Sequence, residues 1–119
     1  MLSAVQIKPD VYAVGAIDWN AREFHGYTTE QGITYNAYLI LDEKITLIDT
    51  VKYTMTDELI ERIQSIVDPA KIDVVVCNHI EMDHSSSLPA ILKVAPNAAV
   101  YASAPQGVKE LKAFYGEDL

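Results

Sequence analysis

Asp73-Val74-Val75-Val76-Cys77 runs without a break into Asn78-His79-Ile80-Glu81-Met82-Asp83-His84. A short, continuously apolar run is the pattern of a strand buried on both faces. The polar residues that follow then emerge at the carboxyl end of that strand, the edge where α/β sheets place their ligand sites. Four metal-competent side chains, His79, Glu81, Asp83 and His84, fall within six residues. Positions 79, 81 and 83 share a parity, so an extended loop projects them to one side. His84 then leaves from the other side, toward a second position or a second metal. Ile80 and Met82 are apolar spacers able to anchor the loop in the core. Imidazole suits iron, zinc and other mid-row metals, and carboxylate suits harder ions. Two imidazoles with two carboxylates favour iron or manganese over an all-histidine or thiolate zinc site, and help an iron pair change oxidation state. The competing reading is an acidic turn in which Asp83 caps the following helix.

Working outward, the chain alternates helical and extended patterns. Before the decisive strand, Leu59, Ile60, Ile63, Ile66 and Val67 recur at helical spacing, with Thr54 and Asp57 near a capping box and Pro69 as the stop. Further upstream, Thr34 to Leu41 and Ile45 to Asp49 read as two strands of a hairpin around the turn Asp42-Glu43-Lys44. Val11 to Val14 reads as a strand ending at Gly15, and residues 16 to 33 as a loop. Downstream, a helix is expected from Ser86 or Ser87, with Pro89 in its first turn and Leu88, Ile91 and Leu92 buried. Ala99 to Ala102 reads as a strand. Ser103 then heads a last helix through Val108, Leu111 and Tyr115, stopped at Gly116. Alternating helices and strands imply a sheet with covered faces, hence an α/β fold. A sheet of this size normally needs more elements to cover it. Residues 1–119 are therefore expected to be part of a domain whose second half lies elsewhere.

Composition narrows the function classes. The chain has 119 residues, half of them hydrophobic, enough for one small core. Seventeen acids against nine bases give a net charge of −8, which argues against nucleic acid and anionic membranes. The single cysteine, Cys77, excludes an internal disulfide and points to a reducing compartment; in a buried strand it reads as an inert apolar filler. The N-terminal residues lack a signal-peptide pattern, and no apolar run is long enough to cross a bilayer. A cytoplasmic protein is expected.

The ligand-rich stretch also carries a resemblance. The metallo-β-lactamase superfamily has His-x-His-x-Asp-His after a strand, and here Glu81 stands where its hydrolases place the second histidine. The resulting His-x-Glu-x-Asp-His resembles flavodiiron proteins. Gly15-Ala16-Ile17-Asp18-Trp19-Asn20 and Phe24-His25-Gly26-Tyr27 resemble that family's N-terminal loop. Thr34-Tyr35-Asn36-Ala37-Tyr38-Leu39 and Leu47-Ile48-Asp49-Thr50-Val51 resemble its first hairpin.

The resemblance implies the N-terminal half of a metallo-β-lactamase-like αβ/βα sandwich holding two iron ions. His79 and Glu81 would bind one iron; Asp83 and His84 would serve the other, His84 not being a ligand in every member. His25 would face the open side of the pair, in a substrate-facing role. It also implies a flavodoxin-like FMN domain, a head-to-tail homodimer, a rubredoxin-like electron donor, and reduction of O2 to water or NO to N2O. Asp49, at the end of an apolar strand, is either a residue supporting the metal ligands or a strand cap. Trp19 and Phe24 read as packing groups that could also line the access route. Two departures stand out. Ser86 occupies a position where the family usually has glycine, and the family's remaining ligands (a His, a bridging Asp and a last His) are not in these residues. The chain alone is therefore expected to be inactive. The alternatives are a dinuclear metallohydrolase using the same loop, disfavoured by Glu81, and a truncated domain without catalysis.

Overall fold

The computed structural model describes residues 2–18, 23–24, 27–28, 33–78, 82–102, 109 and 111–112, with residues 23, 24, 27, 28, 33, 82 and 83 described by backbone alone. Its strands are β1 (Val5–Lys8), β2 (Val11–Ala13), β3 (Ala16–Asp18), β4 (Glu23–Phe24), β5 (Tyr27–Thr28), β6 (Ile33–Tyr35), β7 (Tyr38–Leu41), β8 (Ile45–Ile48), β9 (Val74–Cys77) and β10 (Ala99–Ala102). Its helices are α1 (Thr56–Gln64), α2 (Met82–Ser85) and α3 (Leu88–Val94). One six-stranded sheet runs in the order β1-β2-β7-β8-β9-β10. It is antiparallel from β1 to β8, and parallel where β8, β9 and β10 pair. The parallel pairings require crossovers, and α1 and α3 supply them. The expected hairpin, the decisive apolar strand β9 and the α/β class are all present.

Register assigns the faces. Tyr12, Leu39, Leu47, Val75 and Val100 lie directly opposite one another on successive strands. They share a core with Leu59 and Ile63 of α1 and Leu88 and Ile91 of α3. Side chains alternate along a strand, so the other face carries two rows: Val11, Ile40, Thr46, Val74 and Ala99; and Ala13, Tyr38, Ile48, Val76 and Tyr101. No described helix covers this face. Most of its side chains are half-buried, and Tyr101 is 60% exposed.

The stretch read as one strand from Thr34 to Leu41 is two strands in different sheets. β6 pairs with β3, and β7 pairs with β2 and β8. Both chains bend together at Gly15 and Asn36-Ala37. The Val14 N–H donates to the Ala37 carbonyl at 3.0 Å. A Cβ at Gly15 would stand 2.0 Å from the Tyr35 carbonyl oxygen, so only glycine allows the approach. Residues 16 to 33, expected as a loop, contain β3 and the paired β4 and β5. β1 was also missed; all four of its residues are exposed, so no burial pattern marks it.

Helix α1 is shorter than its apolar spacing predicts. It starts at Thr56, after a 3-10 turn over Tyr53–Met55, and has no side-chain cap from Thr54. It stops at Gln64, where the Ser65 hydroxyl donates back to the Arg62 carbonyl at 2.6 Å. Such a bond competes with continued helix. Pro69 opens a separate 3-10 turn, capped by Asp68 accepting from the Ala70 N–H at 3.0 Å. Helix α3 begins after Ser87 with Pro89 in its first turn, as its sequence predicts. Of the expected last helix, Lys109, Leu111 and Lys112 are helical and Leu111 is buried; Ser103, Val108, Tyr115 and Gly116 lie outside the described residues.

Candidate metal centre

Strands β8 and β9 are parallel neighbours, so their carboxyl ends lie side by side. Asp49 follows β8 and Asn78 follows β9. The Asp49 N–H donates to the Val76 carbonyl at 2.8 Å, extending the ladder by one bond. Asp49 then turns into the left-handed region, with φ of 61°. That conformation is uncommon outside glycine but more accessible to Asp than to most residues. The residue is 8% exposed, and its carboxylate accepts twice from Asn78: Oδ1 from the backbone N–H at 2.8 Å, and Oδ2 from the side-chain amide at 3.2 Å. Asp49 is thus joined to the residue immediately preceding His79.

Thr50 grips the other end of the stretch. Its N–H and its Oγ1 hydroxyl both donate to the His84 carbonyl, at 3.0 and 2.7 Å. The segment from Asn78 to His84 is therefore held at both ends by one dipeptide, Asp49-Thr50. Further contacts join the following residues. The Ser87 N–H donates to the Val51 carbonyl at 3.2 Å, and the Ser87 hydroxyl to the Lys52 carbonyl at 3.3 Å. Thr56 and Ser87 share a hydroxyl bond of 2.7 Å. Ser86, where glycine was expected, accepts from the Tyr53 N–H at 2.7 Å. Its side chain therefore fastens the loop.

The parity argument fails at its C-terminal end. Met82–Ser85 is one turn of α-helix, not the extended chain that the parity argument assumed. His84 is half-buried. His79, Glu81 and His25 lie outside the described residues, as does the side chain of Asp83. Among the described residues no three His, Cys, Asp or Glu side chains gather. Cys77 sits in the core, 4% exposed, as an apolar strand residue should. Thr50, Asn78, Ser86 and Ser87 were not singled out for these anchoring roles from sequence, because each acts through a partner distant along the chain.

Residues 33–116 match the model of the ODP family beta lactamase. The chain belongs to that family. The ODP match spans β6 to β10 and takes in the whole Asn78–His84 segment. The ODP-family chain is 45% identical over 117 residues to the nitric oxide reductase of Moorella thermoacetica, covering 97% of this chain and 29% of that protein. It is 48% identical over 103 residues to the rubredoxin-oxygen oxidoreductase of Megalodesulfovibrio gigas, covering 86% of this chain and 26% of that one. Among solved structures, it superposes with a TM-score of 0.90 on the rubredoxin oxygen:oxidoreductase from Desulfovibrio gigas, at 43% identity. The superposition covers 95% of this chain and 28% of that one. The flavodiiron protein from Giardia intestinalis gives the same TM-score at 40% identity, over 98% and 28%. The resemblance to flavodiiron proteins and the metallo-β-lactamase-like fold class both hold. The chain spans under a third of the length of these relatives.

Proposed function

We propose that residues 1–119 form the first part of the diiron domain of a flavodiiron reductase. The rest of the sandwich, with a further His, a bridging Asp and a last His, comes from sequence beyond residue 119, as does a flavodoxin-like FMN domain. The observation that carries this reading is the double anchorage of Asn78–His84 on Asp49-Thr50. With the segment fixed at Asn78 and at His84, the imidazole and carboxylate donors between would serve as a ligand loop at the end of a buried parallel strand. The donor chemistry fits iron, and the relatives' names supply the reaction class.

His79 and Glu81 would hold one iron, and Asp83 and His84 the other. When bound, an iron pair supplies open coordination and the electrons that reduce O2 to water or NO to N2O. The chain's own part is to fix donor direction. Asp49 orients the entry to the loop through Asn78, and Thr50 orients its exit through His84. Supporting groups of this kind tune ligand orientation and basicity. His25 would take a substrate-facing role. A flavodoxin-like domain would hold FMN, which would supply electrons received from a rubredoxin-like donor; the protein is proposed to be a cytoplasmic head-to-tail homodimer.

The test is the iron and flavin content of the protein purified from cells, with anaerobic assays of O2 and NO consumption. Iron and FMN together, with consumption that falls at least tenfold on Glu81→Ala, are expected. Zinc without flavin, accompanied by ester or amide hydrolysis, overturns the reading in favour of a metallohydrolase.

A further inference from the structure

We infer that Thr50 is a positioning residue that sets the direction in which His84 presents its imidazole. The metal-binding half of this inference rests on the function proposed above. His84 stands in the single turn of α2, Met82–Ser85. Thr50 supplies two donors to its carbonyl oxygen, the N–H at 3.0 Å and Oγ1 at 2.7 Å. A single hydrogen bond leaves a peptide free to rock about the donor–acceptor axis. A second donor from the same rigid residue removes that freedom. The peptide plane so fixed shares the Cα of His84, from which the imidazole departs. Thr50 is 1% exposed, so water does not readily take the place of its hydroxyl. Thr50 is also β-branched, which narrows χ1 and holds Oγ1 in place. The contacts through Ser86 and Ser87 secure the residues that follow; Thr50 acts on His84 itself.

Two substitutions separate this role from simple packing. Thr50→Val keeps the shape and the N–H bond but removes Oγ1. Thr50→Ser keeps the hydroxyl and trims the methyl. The full-length protein, carrying the remaining ligands and stripped of metal, is titrated with Co2+, whose visible d–d absorption reports ligand geometry, and unfolding is followed separately in chelator. Thr50→Val should weaken Co2+ binding about tenfold, the lower end for loss of a supporting partner, and alter the absorption envelope. Thr50→Ser should restore both. In the metal-free chain, the His84 ring signals in a long-range 1H–15N spectrum should move in Thr50→Val and return in Thr50→Ser. Thr50→Val with unchanged ring signals overturns the inference, whatever the metal does. Unchanged Co2+ affinity and absorption in Thr50→Val overturn it too. If the ring signals move but the unsubstituted full-length protein binds no Co2+, the metal reading falls while the positioning role stands.

Discussion

Replacing Asp49 tests whether the anchor of the ligand loop is as strong as its geometry implies. Asp49→Ala removes two hydrogen bonds made by the carboxylate of a residue that is 8% exposed. Bonds to a charged group are worth about 1.5–3 kcal/mol each. Asn78 itself is exposed, so water recovers much of what its side-chain amide loses. The net loss comes to about 2–3 kcal/mol. Alanine must also hold the φ of 61°, adding about 1 kcal/mol for a β-carbon in the left-handed region. The total, about 3–4 kcal/mol, corresponds to a fall in Tm of roughly 12–16 °C for a domain of this size. Asp49→Gly loses the same bonds without the strain, and should unfold about 1 kcal/mol above Asp49→Ala. Asp49→Asn tolerates the backbone and keeps Oδ1, but turns an amide toward the Asn78 amide, for a loss of about 1–2 kcal/mol. Urea denaturation of the metal-free chain with all three variants gives the order Asn, Gly, Ala from most to least stable. Asp49→Ala within about 0.5 kcal/mol of the parent, or Asp49→Gly below Asp49→Ala, refutes the reasoning.

Other expectations follow from the same structure. Gly15→Ala should cost about 3 kcal/mol, read as a lowered urea midpoint, because the added methyl meets the backbone oxygen of Tyr35. Ser86→Gly should cost about 1 kcal/mol by freeing the Tyr53 N–H, with little change in near-ultraviolet circular dichroism. Leu47→Lys should abolish cooperative unfolding, whereas Ile48→Lys, one residue on and on the opposite face, should cost only about 1 kcal/mol and dim the fluorescence of bound anilinonaphthalene sulfonate. Equal damage from the two lysines would contradict the assignment of faces.

Much of this fold was legible because burial writes a period into sequence. The continuous apolar run of β9, the hairpin of β7 and β8 and the buried faces of α1 and α3 all announce themselves that way. β1 is an exposed edge strand and carries no such signal. β3 to β6 are two or three residues long, too short for alternation to show. The break between β6 and β7 depends on how close Gly15 comes to residues 35–37, which no local pattern reveals. The same divide runs through the site. The four candidate donors were proposed from their crowding in sequence, and their assignment as ligands stays a proposal. Their anchors were not readable that way, because the bonded partners stand 29 to 35 residues apart along the chain. The parity argument failed for a related reason: α2 forms where an extended loop was assumed, and its turn is stitched to Thr50.

Hanging both ends of one loop on adjacent residues has a mechanical consequence. Asp49-Thr50 joins β8 to the turn that opens α1, so a disturbance of that hinge slackens the entry and the exit together. Half-attached intermediates should be scarce, and the loop should form or dissolve in a single step with the two strands that bracket it. Amide protons around Asn78 and Ser85 should then exchange with solvent at rates tied to those of β8 and β9, while the exposed β1 opens earlier and on its own.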